Sequence, residues 1–229
     1  MINIKTLVMV SFITLFFTTI INLILIYYFP KNKNLKYLLV FNLGFLLGQL
    51  LLILRNTIPD FFSIVVGNSF LVAGHICVYV ASRGLLKLEN RWRNRYFIPI
   101  GVVAIGLCVF TYVYYHTEMR IVIFSLFCTI YGVILAWIFL KYASGKLLLL
   151  HYLTSFFFLI SAVMFFIRAI TASIIDFPVS YLSINDLMIV MPYVYLVFIS
   201  FWLCLLFALQ IRVEQENNEK EMIQKKEQS

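Results

Sequence analysis

Two histidines and a handful of charged residues carry whatever chemistry this sequence can do within its apolar stretches. His75 stands seven residues before Ser82, and His151 five residues after Lys146. On helices running in opposite directions, both would lie roughly 10 Å inside the same membrane boundary, at about 1.5 Å per residue. Equal depth makes a bis-imidazole haem or metal site at His75 and His151 conceivable. The other reading is that each ring donates one hydrogen bond to a nearby carbonyl or hydroxyl, since two histidines without cysteine or carboxylate companions form a thin ligand set. A second group, Arg55, Asp60, Arg168, Asp176 and Asp186, falls with Glu118 and Arg120 at the opposite ends of the apolar stretches. Arg168 sits just inside its stretch and must snorkel or find a partner such as Asp176 or Asp186. These residues either rim an outward-facing polar pocket for a small ligand, roofed by the segment from Thr171 to Asp186, or form loop ion pairs that satisfy one another.

Enzyme signatures are missing. The sequence contains no H-E-x-x-H, G-x-S-x-G or EF-hand pattern, and Ser144-Gly145-Lys146 has Leu140 where a phosphate loop needs its first glycine. No acidic residue occupies the middle of an apolar stretch, and the last stretch has no lysine for a retinal Schiff base. Cys77, Cys108, Cys128 and Cys204 are far apart and form no C-x-x-C. The expectation is a protein that is not an enzyme, with no cofactor apart from the histidine alternative.

The elements that must position these side chains follow from composition. Of 229 residues, 63% are hydrophobic and 12% charged, with a mean hydropathy of +0.97. A soluble domain carries about 25% charged residues, so the bilayer has to solvate most of this chain. About 20 apolar residues of helix cross a hydrocarbon core. Seven stretches qualify: Thr6 to Phe29, Tyr37 to Leu54, Phe61 to Ser82, Tyr96 to Tyr115, Ile121 to Leu140, Leu147 to Ile170 and Leu187 to Ile211. Short polar separators make neighbours antiparallel. The predicted fold is an all-α, polytopic bundle of seven transmembrane helices. Gly44 and Gly48 form a G-x-x-x-G pair in the second helix, and Ser63, Gly67, Gly74 and Ala81 a small-residue stripe on the third; the third helix is the candidate centre of the bundle.

Charge assigns the sides. Alternate loops hold 14 of the 18 Lys and Arg, leaving Lys5, Arg55, Arg120 and Arg168 on the other side. The positive-inside rule then places the amino terminus outside and the carboxyl terminus in the cytoplasm, as a multi-pass protein of the inner (plasma) membrane. The whole formal charge of +8 falls on the cytoplasmic side. It therefore reads as a topology signal facing anionic lipid rather than as a nucleic-acid surface. Residues 1–212 form the membrane domain, and 213–229 a cytoplasmic helical tail in which Glu216 with Lys220 and Glu221 with Lys225 are i,i+4 pairs. Ile211, Asn218, Met222 and Lys225 follow a short heptad seam through which the tail could pair a homodimer; the alternative is a solubilising tail.

Seven short-looped spans and a last helix running into a cytoplasmic connector resemble the membrane-embedded sensory modules found in front of bacterial GGDEF diguanylate cyclases and some histidine kinases. The most similar stretch is Ile58-Pro59-Asp60-Phe61-Phe62-Ser63-Ile64-Val65-Val66-Gly67-Asn68-Ser69-Phe70-Leu71-Val72-Ala73-Gly74, followed by Ala81-Ser82-Arg83-Gly84-Leu85. Members of that group continue into a catalytic domain, whereas this sequence ends at Ser229 and has no Gly-Gly pair, so cyclase activity is not carried over. The resemblance implies a sensory module relaying a membrane or extracytoplasmic cue through helix seven to a cytoplasmic GGDEF, kinase or phosphodiesterase partner. The competing expectation is a small carrier or channel for a neutral or apolar solute, using Asn22, Asn42, Gln49, Asn68, Thr154 and Ser155.

Overall fold

In the computed structural model the chain is described over residues 4–55, 57–88, 93–174 and 185–227. Among these residues there are seven helices long and apolar enough to cross a membrane, and no strand beyond one isolated bridge between Arg55 and Ile58. Their α-helical parts are α1 (Ile4–Tyr28), α2 (Lys33–Ile53), α3 (Gly67–Leu85), α4 (Ile98–Cys108), α5 (Thr117–Lys141), α6 (Leu148–Ile174) and α7 (Asn185–Glu227), the fourth span running from Arg95 to Val113 with the turns that flank α4. In hydrocarbon every backbone polar group must be paired within its own segment, which leaves the helix as the form these runs can take. Hydroxyls inside the runs follow the same rule. Thr19 donates to the Leu15 carbonyl at 2.6 Å, Ser69 to Val65 at 2.7 Å and Thr111 to Leu107 at 2.6 Å, each one turn back.

Chain punctuation sets the helix ends. Asn32, in extended conformation, caps α2 by accepting from the Asn34 amide at 3.0 Å. Lys87, at φ 55°, closes the end of α3, with the Leu88 amide donating to the Arg83 carbonyl at 2.9 Å. Two spans are not uniform α-helix. Phe61–Val66 leads into α3, and Val109–Val113 ends the fourth span, both with wider π-helical turns.

The helices close into a ring. α1 packs on α2, α2 on α3, α3 on α5, α5 on α6, α6 on α7, and α7 back on α1, while α4 lies outside against α3 and α5. The α2–α3 seam is where glycine matters: a Cβ at Gly48 would stand 2.8 Å from the Gly67 carbonyl and 2.7 Å from Leu71 Cδ2. The small-residue stripe expected on the third helix therefore meets the G-x-x-x-G face of the second, bringing the two backbones into contact. Ser155 Oγ donates across to the Ala136 carbonyl at 2.7 Å, joining α6 to α5, and Trp202 Nε1 donates to Thr154 Oγ1 at 2.8 Å, joining α7 to α6.

The bundle has two distinct ends. One carries Lys33, Lys87, Lys141 and Lys146; the other carries Arg55, Asp60, Arg120 and Arg168. They are called the Lys33 end and the Arg55 end below. α7 continues unbroken past the Lys33 end to Glu227. There Glu214 meets Lys87 at 3.8 Å, while Glu216 meets Lys146 at 3.6 Å and Arg212 at 3.4 Å. Glu216 thus turns back toward Arg212 and the α5–α6 connection rather than forward to Lys220, because two cations already flank it on that side.

Candidate ligand cavity

A cavity of about 380 Å³ occupies the centre of the ring, within the size range of small-molecule sites. It is walled by α2, α3, α5, α6 and α7; Leu107 reaches in from α4, and no described α1 side chain lines it. Its two halves differ in chemistry. At the Arg55 end stand Arg55, Arg120, Arg168, Thr117, Gln49 and Asn68; below them the wall is aliphatic and aromatic, with Phe45, His75, Phe124, Phe158 and Phe165. Among the described residues no carboxylate lines it.

Arg120 is the most constrained of these groups. Apolar run length starts the fifth span at Ile121, with Arg120 in the connection before it. The structure corrects this: α5 starts at Thr117, after an extended His116, and Arg120 lies within its first turns, only 5% exposed. Its Nη2 donates to Thr117 Oγ1 at 2.7 Å, and its guanidinium carbon lies 5.2 Å from the centre of the Tyr115 ring. Nη1 is buried without a hydrogen-bond partner. A cation near a helix amino terminus also stands against the helix dipole. The nearest acidic residue of that turn, Glu118, faces His116 at 3.9 Å. Gln49, on the facing wall, accepts from Ser11 at 3.3 Å through Oε1, and its buried Nε2 has no partner. The mouth is therefore rich in donors and cation charge. Asn68 is oriented by donating from Nδ2 to the Ile64 carbonyl at 2.6 Å, which uses a carbonyl in the π-helical turn before α3.

The five residues expected to rim a pocket separate. Arg55, exposed, and Arg168, half-buried, both line the cavity, with Arg55 bringing it to the surface. Asp60 is exposed at the start of the π-helical turn and is not part of the lining. Asp176 and the side chain of Asp186 lie outside the described residues. Among the described residues neither Arg55 nor Arg120 forms an ion pair with a carboxylate.

The two histidines occupy different surroundings. His75 lines the lower cavity, its Nδ1 2.9 Å from the Leu71 carbonyl and its ring among Phe45, Phe124 and Phe127. The His151 ring, buried and off the cavity, lies 5.9 Å from Phe139, and neither of its nitrogens has a partner. Their described ring neighbours have no member in common. The polar residues expected to serve a carrier also divide. Gln49 and Asn68 line the cavity, whereas Thr154 and Ser155 are engaged in the interhelical bonds given above. Asn22 lies against Cys204, whose Sγ is 3.7 Å from Asn22 Oδ1, and Asn42 is fully buried away from the lining.

No family model matches the chain, no curated protein is significantly similar to it, and no solved structure matches its fold.

Proposed function

We propose that the protein is a membrane sensory module. A small ligand fills the central cavity, and its presence is passed along α7 to the helical extension beyond the Lys33 end. One observation carries this reading: the cavity wall and the extension are parts of the same unbroken helix, with Tyr195, Leu196, Ile199 and Leu203 on the cavity and Glu214 and Glu216 in the extension. A straight helix transmits a shift or rotation at one end to the other, and a ligand acts through its unequal affinity for two such arrangements. The ion pairs to Lys87 and Lys146 give the extension contacts that such a motion makes or breaks. The excess of lysine and arginine at the Lys33 end supports a cytoplasmic placement for that end, with Arg55 and Arg120 facing out. The resemblance to the sensory modules in front of GGDEF domains supports the same direction of relay.

The test is hydrogen exchange on the full chain in neutral-lipid nanodiscs, with and without a panel of alkanols, alkylamines and alkanoates. At least one class is expected to protect the cavity-lining stretches and change exchange across residues 212–224 together. Protection confined to the cavity for every compound that binds would remove the relay.

A further inference from the structure

We infer that the cavity takes a single-chain amphiphile with an anionic head, the head held at Arg120 and the chain running toward the Lys33 end. This deepens, and rests on, the reading of the cavity as a ligand site. The first ground is charge. Arg55 and Arg120 line one end and, among the described residues, neither pairs with a carboxylate, so a neutral or cationic head would leave these two guanidinium groups uncompensated. The second is an unmet bond. Arg120 is 5% exposed, and its Nη1 has neither a protein acceptor nor solvent; a buried donor in that state is matched by an acceptor that arrives with the ligand. Gln49 Nε2, on another wall of the same cavity, is a second such donor, and carboxylate and phosphate oxygens accept from guanidinium and amide donors alike. The third is shape. From Arg168 to Phe158 along α6, and from Asn68 to Val78 along α3, the lining descends about 15 Å at about 1.5 Å per residue, and below Asn68 its side chains are almost entirely hydrocarbon and aromatic. A long, narrow, apolar shaft with a cationic mouth fits an acyl or alkyl chain better than a compact polar solute.

The experiment uses the full chain in phosphatidylcholine nanodiscs and a dodecanoate carrying a photoreactive diazirine near its methyl end. Labelling is expected around Val78, Tyr195 and Leu196, the lining residues about ten residues of helix, or about 15 Å, from Arg120. Unlabelled dodecanoate and dodecyl phosphate should compete, and their relative strength separates a fatty-acid source from a phosphate-headed lipid. Dodecanol and dodecylamine should compete about tenfold less well, the scale of a charge-assisted hydrogen bond. Arg120→Gln should lower labelling by about tenfold, and the surface change Arg55→Gln, which leaves the core untouched, by a few-fold. Lys141→Gln at the far end should leave it unchanged. Competition by dodecanol equal to that by dodecanoate, or full labelling of both arginine variants, would overturn the inference. Failure of the relay reads differently: labelling then follows this pattern while exchange in residues 212–224 stays constant.

Discussion

Arg120 Nη2 donates to the Thr117 hydroxyl at 2.7 Å, one turn back on the same helix, so the guanidinium is held by α5 itself and not by a neighbouring carboxylate. Holding a buried cation in this way fixes its direction without neutralising it. Breaking a buried ion pair costs several kcal/mol, but removing a buried charge that has no counter-ion relieves desolvation. Arg120→Gln is therefore expected to leave the unfolding midpoint of the ligand-free protein unchanged or to raise it, by about 1–2 kcal/mol at most. Thermal unfolding in neutral-lipid nanodiscs checks this; a drop of several degrees would make Arg120 a structural strut.

The α2–α3 seam predicts a contrast between two glycines. Gly48→Ala sets a methyl 2.8 Å from a backbone carbonyl that cannot move aside, whereas a Cβ at Gly101 meets nothing within 4 Å. The first should destabilise by about 1–3 kcal/mol. The second should be neutral or stabilising by up to about 1 kcal/mol, from helix propensity alone. Parallel unfolding curves of the two variants would separate them, and equal effects would argue against backbone contact at this seam.

His151 offers a stability test of a different kind. Its ring is 4% exposed beside Phe139, and both nitrogens lack partners. His151→Phe keeps an aromatic ring in the same space and removes the unmet polar atoms, so a gain of about 1 kcal/mol is expected. His151→Ala should lose about 2 kcal/mol or more through the cavity it leaves. An ordering in which Phe is the worse substitute would show that the imidazole has a ligand or a bound group to hold, and an absorption spectrum of the purified protein would say whether that group is a haem.

Replacing Glu214 and Glu216 by glutamine adds no trypsin site and removes the described ion pairs between the α7 extension and the connections beside it. Exposed pairs of this kind contribute about 0.2–1 kcal/mol each, so the unfolding midpoint should move little. Tryptic cleavage between Arg212 and Lys220 should quicken by a few-fold. Unchanged cleavage would mean that the extension is held by its helix alone.

Orientation has its own check. With the native cysteines replaced, a single cysteine at His116 should react with a membrane-impermeant maleimide in intact cells, and one at Ser144 only after lysis, if the orientation proposed from the positive-inside asymmetry, with the Arg55 end outward, holds. The reverse pattern would invert the direction of any relay.

The spans were legible because apolar run length is a direct readout of the solvent each residue requires. All seven stretches read from the sequence correspond to helices, with ends displaced by a few residues apart from the last, which runs on past Ile211 to Glu227. The largest miscounts occur where a polar residue is helical. Lys33 to Lys36 belong to α2 and Thr117 to Arg120 to α5, since local hydrogen bonds let a helix begin before its apolar run does. The cavity was legible only in fragments. Arg55 and Arg168 stood out by charge, but the inclusion of Arg120 and Gln49 depends on which faces of α5 and α2 turn inward, and the moment of a nearly all-apolar helix carries little of that information. The π-helical turns before α3 and after α4 left no mark in the residue pattern, since one extra residue per turn changes the facing of side chains and not their type.

The closure of the ring has a mechanical consequence. Backbone contact at Gly48 and Gly67 makes α2 and α3 a stiff unit, and the cross-bond from Ser155 to Ala136 helps do the same for α5 and α6. A guest that widens the space between these two units must be accommodated chiefly by α7, whose most extensive neighbour is α1, a helix with an exposed apolar face and no described side chain in the lining. The compliant wall is thus the α1–α7 pair, so lateral pressure from the bilayer and volume from the ligand press on the same two helices from opposite sides. On the proposed reading, thickening or tensing the membrane changes how tightly the cavity holds its occupant, and a ligand site becomes, without added parts, a gauge of the bilayer around it.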